Sequence, residues 1–195
     1  MTINYGVHLD NMPEKDYQKW QREVLDECIR VLKPNGSLFY NVKQRRVDGL
    51  VILPTEWLGG LKIKQVIIWD RKNSPQINNV CFLPTTELIF WIVKDKPKFY
   101  RERCKYTTEI WDLPVRSDNP HPAPFPIEFP VNCIQGCSDI DDIVLDPFAG
   151  SGTVALACKQ YNRRFICIDN NPEFCKMAEE NLKAMPDSLE KWVKI

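Results

Sequence analysis

The last third of the chain alternates two apolar strands with two helices, and this alternation constrains the fold more than any other feature. Residues 143–145 and 165–168 form apolar runs typical of buried strands. Residues 151–161 and 172–185 space their apolar side chains three and four residues apart, which predicts amphipathic helices. Strands that alternate with helices pair in parallel, so the sequence predicts an α/β fold with a mostly parallel sheet.

The first half of the chain predicts one more helix and three more strands. Apolar residues recur at helical spacing over residues 13–32, and Pro34 and Gly36 end that helix. Three apolar runs predict strands, at residues 37–42, 66–69 and 88–93. The polar stretch between the last two runs is typical of a surface loop.

The length of 195 residues suits one well-buried domain and is short for two. We therefore expect a single domain over residues 1–195. Its expected parts are a first half at 13–93, a basic loop and connector at 94–120, and a second half at 121–185. Five prolines between Pro114 and Pro126 exclude regular structure from that connector.

The composition excludes several classes of protein. Apolar residues make up 44% and charged residues 27%, as in an ordinary globular chain, and no apolar stretch is long enough to span a membrane. None of the eight cysteines forms a C-x-x-C pair or has zinc-ligand spacing, so we expect reduced thiols, a cytoplasmic protein and no metal. The net charge is zero, so any nucleic-acid surface must come from local clusters of basic residues.

The turn after residue 145 has the pattern of a nucleoside site. Gly150 and Gly152 stand between a strand and a helix, where glycine lets a ligand approach the backbone and the helix presents free N–H groups. Asp169, nineteen residues after Gly150, ends the next strand and can accept hydrogen bonds from ribose hydroxyls. The same glycine spacing also satisfies a loose dinucleotide pattern. Asp146 and Phe148 favour a sulfonium cation over pyrophosphate, by charge and by cation–π attraction.

These residues resemble the cofactor motif of DNA methyltransferases that modify the exocyclic amino group of adenine or cytosine. The motif runs Asp146-Pro147-Phe148-Ala149-Gly150-Ser151-Gly152-Thr153. Asp169-Asn170 is similar to the acid that follows the next strand, and His121-Pro122 is similar to the upstream segment that closes over the methionine end of the cofactor. In the circularly permuted group of this family the motif lies near the C-terminus, and a helix ending in Leu-Lys-Pro-x-Gly precedes it, as at residues 32–36.

The resemblance implies a Rossmann-like methyltransferase fold, S-adenosylmethionine (SAM) as cofactor, and double-stranded DNA as substrate in a restriction–modification system. It also implies a homodimer. The cofactor would contact residues 146–153, Asp169, Asn170, His121 and Pro122. Nothing in the sequence decides between adenine N6 and cytosine N4.

One family motif is absent. The family activates the amine with Asp, Asn or Ser followed by Pro-Pro-Tyr or Pro-Pro-Phe, and these 195 residues contain no Pro-Pro pair. The resemblance places this motif ahead of the helix at 13–32, so we expect it upstream of Met1. We therefore assign no catalytic residue, and we expect a truncated chain that lacks the strand bearing the motif.

A truncated chain of this kind should transfer no methyl group alone, and a second chain would supply the segment. One alternative is an inactive relative that still binds SAM or DNA. Another is a nicotinamide-dependent oxidoreductase, which Asp146-Pro147-Phe148 disfavours.

Five basic residues in the segment after the last strand of the first half are the candidates for DNA phosphate contact. They are Lys94, Lys96, Lys98, Arg101 and Arg103.

Overall fold

The computed structural model describes residues 12–72, 81–114 and 125–185. These residues belong to two compact units, residues 12–114 in the first and residues 125–185 in the second. The division falls inside the proline-rich connector of the sequence analysis. His121 and Pro122 lie outside the described residues, and the single domain expected over residues 1–195 stays a prediction.

Met1 also lies outside the described residues, together with the segment up to residue 11. Both the truncation upstream of Met1 and the absence of a catalytic residue stay predictions.

The first unit contains one long helix and a four-stranded sheet. The helix is α1 (Glu14–Val31), and two short 3-10 turns lie at Pro54–Glu56 and Arg101–Arg103. The strands are β1 (Ser37–Val42), β2 (Arg45–Val47), β3 (Leu50–Ile52), β4 (Ile63–Asp70), β5 (Thr86–Val93) and β6 (Ile110–Asp112). The order of strands in the four-stranded sheet is β1-β5-β4-β6. β2 and β3 form a separate hairpin whose turn, Asp48-Gly49, has the two positive φ angles that such a tight hairpin turn requires.

Helix α1 covers one face of the sheet with the stripe that the sequence predicts. Leu25 is 2% exposed and packs in a cluster with Phe90 and Ile92 of β5 and with Trp57. Glu14 and Asp16 lie in the first turn of α1, where negative charge interacts favourably with the helix dipole.

The expectation of a mostly parallel sheet is wrong for this four-stranded sheet. β5 runs antiparallel to both β1 and β4, and β4 pairs in parallel with β6. The apolar run of β5 is buried along nearly its whole length, and such a run shows that a strand is central without showing its direction.

The second unit has the order α2-β7-α3-β8-α4. Its elements are α2 (Glu128–Cys137), β7 (Ile143–Asp146), α3 (Thr153–Gln160), β8 (Arg164–Cys167) and α4 (Pro172–Ala184). β7 and β8 pair in parallel, as predicted, and α3 lies in the connection between them. Among the described strands, β7 pairs with β8 alone. The absence of the strand that would carry the catalytic motif stays a prediction.

The core of the second unit lies between α2 and α3. Ile134 of α2 packs against Ala157 and Cys158 of α3, both of which are completely buried. Helix α2 has no clear signal in the sequence, because Pro130 and Gly136 are typical of irregular structure. Pro130 lies in the first turn of the helix, where its missing N–H costs little.

Two features are absent from the described residues. No helix in residues 12–72, 81–114 and 125–185 is both long and apolar enough to cross a membrane. Across the same ranges, no group of three or more His, Cys, Asp or Glu side chains is placed to hold a metal ion.

Candidate functional site

The turn between β7 and α3 is held against the end of β8 by backbone hydrogen bonds. The Ile168 N–H donates to the Asp146 carbonyl at 2.9 Å, and the Ala149 N–H donates to the Ile168 carbonyl at 2.9 Å. The structure therefore brings together two of the sequence-predicted groups, residues 146–153 and residues 169–170. Both follow the carboxyl ends of parallel strands, where ligands bind in α/β folds.

The two glycines of the turn both have positive φ angles, and their surroundings differ. Gly150 has φ 50° and Gly152 has φ 83°. A Cβ atom on Gly152 would lie 2.8 Å from the Cβ of Ala178 in α4, so this glycine is needed for the contact between the start of α3 and α4. Gly150 is buried and directs its N–H toward Asp169. Glycine at these two positions thus shapes the turn and allows its contact with α4.

Asp146 ends β7 with a half-buried carboxylate. Its Oδ1 accepts a hydrogen bond from the Phe148 N–H at 3.1 Å. Burial raises the pKa of Asp146, the Phe148 N–H partly offsets this, and the nearby negative charge of Asp169 raises it further. A carboxylate whose ionised form is disfavoured in this way gains from a cation brought beside it.

Asp169 joins the glycine turn to the start of α4. Its Oδ2 accepts from the Gly150 N–H at 2.8 Å, and its Oδ1 accepts from the Asn171 N–H at 2.9 Å. Each carboxylate oxygen has a second lone pair, so Asp169 can still accept from a ligand hydroxyl. The ribose contact proposed for Asp169 is untested, and its two backbone hydrogen bonds are a structural role that the sequence analysis did not foresee.

The remaining residues of the motif differ in their accessibility. The Phe148 side chain is 56% exposed, and Asn170, which follows Asp169, is exposed as well. Ser151 is buried, and its carbonyl accepts from the Asn181 side-chain amide at 3.0 Å. Pro147, Ala149 and Thr153 are half-buried.

Two residues near the turn were missed by the sequence analysis. Asn171 is buried and caps α4, since its side-chain oxygen accepts from the Glu173 N–H at 2.9 Å. The Asn-Pro pair at the start of a predicted helix was the available signal. Cys167 lies opposite Asp146 in the register of β7 and β8, and burial together with Asp146 raises the pKa of this thiol to about 11. The pattern of β8 gave no sign of that pairing.

The predicted DNA contacts belong to the first unit, and Lys94 has a structural role there. The Lys94 Nζ donates to the carbonyls of Ile29 and Leu32 at 3.1 Å and of Arg30 at 3.3 Å. Lys94 therefore caps the C-terminus of α1, and its contact with DNA stays a prediction. Arg103 lies 4.0 Å from Glu102 and stacks on the Tyr100 ring at 3.7 Å. Lys96 and Arg101 are exposed, and Lys98 is half-buried.

The second unit has the features of a nucleoside-cofactor site in an α/β protein: a parallel strand pair, a glycine turn and an acid at each strand end. The sequence matches the DNA methylase family N6_N4_Mtase over residues 5–180. The chain belongs to this family.

Relatives of known structure share the fold. The cytosine-N4-specific PvuII DNA methyltransferase aligns with a TM-score of 0.77 at 18% identity, over 97% of this chain and 77% of that one. M1.HpyAVI, solved as a complex with SAM, aligns with a TM-score of 0.64 at 26% identity, over 87% of this chain and 84% of that one. The expected methyltransferase α/β fold is therefore confirmed.

A sequence relative is the type II methyltransferase M.HpaI from Haemophilus parainfluenzae. It is 30% identical over 92% of this chain, and the chain spans 63% of that protein's length.

Proposed function

We propose that this chain is the SAM-binding part of a DNA methyltransferase that modifies the exocyclic amino group of adenine (N6) or cytosine (N4). The observation that carries the proposal is that the carboxylates of Asp146 and Asp169 both lie beside the glycine turn. Membership of the DNA methylase family supports DNA as the substrate. The match over residues 5–180 supports the view that both units act together as one domain.

The residues of the turn fit SAM in chemistry as well as in pattern. When bound, SAM supplies an electrophilic methyl group and carries positive charge on its sulfonium and ammonium groups. Asp146 is a desolvated carboxylate that such a charge would stabilise, and the exposed Phe148 ring offers an apolar or cation–π surface. Asp169 and Asn170 would hold the ribose, while residues 149–153 leave room for the nucleoside. His121 and Pro122 are proposed to close over the methionine end.

Methyl transfer also needs residues that hold the acceptor amine of the base, and the family motif that supplies them is absent from these 195 residues. An exocyclic amine is a weak nucleophile because its lone pair is delocalised into the ring, so it needs oriented acceptors for its hydrogens. We propose that a segment carrying the Pro-Pro-Tyr or Pro-Pro-Phe motif completes the site on the acceptor side. Double-stranded DNA, a homodimer and a cytoplasmic location complete the proposal.

Calorimetric titration with SAM tests the cofactor site. We expect the wild-type chain to bind, and Asp169→Ala to weaken binding by roughly 1–3 kcal/mol, the scale for losing charge-assisted hydrogen bonds. The matched control is Glu173→Ala, an exposed acid in the first turn of α4. Wild-type chain that binds no SAM would refute the proposal, and unchanged affinity in Asp169→Ala would place the ribose elsewhere.

Tritium transfer from labelled SAM to mixed-sequence DNA tests the chemistry. We expect none from the chain alone, and transfer from the chain joined at its N-terminus to a segment with the Pro-Pro-Tyr motif. Chromatography of the hydrolysed DNA would identify the methylated base. SAM binding without transfer by either form would favour the alternative, a binding module that does no chemistry. Equal transfer by both forms would contradict the need for the motif.

A further inference from the structure

The two ends of the four-stranded sheet differ in how their positive charges are paired. β1 and β4 both run antiparallel to β5, and β6 runs parallel to β4. β1, β4 and β6 therefore begin at one end of the sheet, called here the amino-terminal end, where β5 finishes. They finish at the other end, the carboxyl-terminal end, where β5 begins.

Cations at the carboxyl-terminal end are matched by carboxylates. The carboxylate of the buried Glu87 forms ion pairs with Arg71 at 2.8 Å and with Lys43 at 3.4 Å. Lys72 lies 2.9 Å from Asp70 and 3.0 Å from Asp112. Although Arg46 is exposed there, this end of the sheet has little net positive charge.

The amino-terminal end gathers basic residues from three separate stretches of the chain. Lys33 comes from the turn before β1, Lys62 and Lys64 from the start of β4, and the others from the segment after β5. We define the basic patch as Lys33, Lys62, Lys64, Lys96, Lys98 and Arg101. All are exposed except the half-buried Lys98.

Specific contacts hold these stretches together. The Lys98 N–H donates to the Asn35 carbonyl at 3.1 Å, which joins the segment after β5 to the turn that carries Lys33. The Lys62 Nζ donates to the Lys94 carbonyl at 3.1 Å. The Lys64 Nζ lies 5.3 Å from the Trp91 ring, on which Phe99 also packs at 5.0 Å.

The charge of the basic patch is largely uncompensated. Five of its six residues make no ion pair within the described part of the chain: Lys33, Lys62, Lys64, Lys96 and Arg101. At the opposite end four cations are paired, namely Lys43 and Arg71 with Glu87, Lys72 with Asp70, and Arg45 with Glu14. Fixed, exposed cations without carboxylate partners suit a polyanion, because binding it releases counterions at little cost in desolvation.

We propose that the basic patch binds the phosphate backbone of duplex DNA without regard to sequence. The choice of DNA as the polyanion rests on the proposed function. This contact lies at the amino-terminal end of the four-stranded sheet, away from the carboxyl ends of β1, β4 and β6. It operates without SAM, and it holds DNA while the protein searches for its site.

The test measures the salt dependence of binding to a fluorescein-labelled mixed-sequence duplex by anisotropy, with the whole chain and no SAM. The patch variant carries Lys62→Gln, Lys64→Gln and Lys96→Gln. Its matched control carries Lys19→Gln, Lys176→Gln and Lys183→Gln, three helical lysines whose side chains are 77%, 77% and 79% exposed. A third variant, Lys43→Gln, Arg46→Gln and Lys72→Gln, samples the carboxyl-terminal end.

We expect the slope of log K against log salt to become shallower by up to about 0.9 for each phosphate that the patch variant no longer neutralises. The control should keep the wild-type slope. Wild-type chain that fails to bind at low salt, or a patch variant that keeps the wild-type slope, would overturn the proposal. A slope that becomes shallower only in the third variant would also overturn it, since the phosphates would then lie at the carboxyl-terminal end.

Circular dichroism confirms that each variant is folded, and a SAM titration separates this inference from the proposed function. The patch variant should bind SAM like the wild type. Salt-dependent DNA binding by a chain that binds no SAM would support the patch while refuting the cofactor site. Normal SAM binding with an unchanged slope would refute the patch alone.

Discussion

At the scale of single residues, Asp146 combines a cost in stability with a proposed role in binding. Its pKa is raised by burial, so the ionised carboxylate destabilises the folded state relative to the unfolded chain. That penalty is present in full above the folded pKa and disappears as the pH falls below the unfolded value. Asn at this position would keep an oxygen for the Phe148 N–H while removing the charge.

We therefore predict that Asp146→Asn raises the melting temperature of the SAM-free chain near neutral pH while it weakens SAM binding. The gain over the wild type should shrink as the pH is lowered through the raised pKa of Asp146, because the wild-type carboxyl then takes up its proton. Thermal melts across that range, with the exposed Asp95→Asn as control, check this. A gain that does not vary with pH would show that charge is not its cause.

At the scale of secondary-structure elements, the C-terminus of α1 depends on a side chain that follows β5. Lys94 reaches three carbonyls of the last turn, which no backbone N–H within the helix can satisfy. We predict that Lys94→Met destabilises the chain by about 1–2 kcal/mol, because it keeps most of the aliphatic stem but removes the charged donor.

Urea unfolding followed by circular dichroism measures the effect of Lys94→Met. The control is Lys96→Met, at an exposed position two residues further along, where we expect a change within about 0.5 kcal/mol. Equal losses in the two variants would mean that the cap contributes nothing specific.

The elements also show which parts of the fold the sequence could predict. Helix α1 follows from its helical periodicity, and strands β7 and β8 follow from their short apolar runs, although the side chains of both strands are half-buried or exposed. The direction of β5 could not be predicted, since its burial pattern is the same for either orientation. β6 has three residues, too few for a periodic signal, and it is recognised only by its pairing with β4.

The site divides in the same way. The proximity of residues 146–153 and Asp169 could be predicted, because the carboxyl ends of neighbouring parallel strands lie at the same edge of a sheet. The role of Lys94 could not, since a lysine in a basic segment looks the same whether it faces solvent or caps a distant helix. The packing role of Gly152 also depends on a residue of another helix, Ala178, which no local pattern indicates.

At the scale of the whole molecule, the net charge is zero, but the positive charges are not evenly matched by nearby negative charges. Acidic residues neutralise the cations at the carboxyl-terminal end of the four-stranded sheet, and α1 and α4 pair many of their own charges along their surfaces. The basic patch is left with most of the uncompensated positive charge in the first unit. A neutral composition is therefore compatible with a DNA methylase, because the backbone of DNA responds to the local potential.

The complete burial of Cys158 makes this thiol a reporter of motion in the second unit. Burial raises its pKa to about 12, so it is both protonated and inaccessible, whereas Cys175 on α4 is exposed. We predict that iodoacetamide alkylates Cys175 readily and Cys158 only during transient opening of the unit. The ratio of the Cys158 rate to that of an unfolded peptide, read by mass spectrometry, then gives the opening equilibrium. Added SAM should slow alkylation of Cys158, because a ligand held by the closed form suppresses opening, and equal native rates at the two thiols would contradict this.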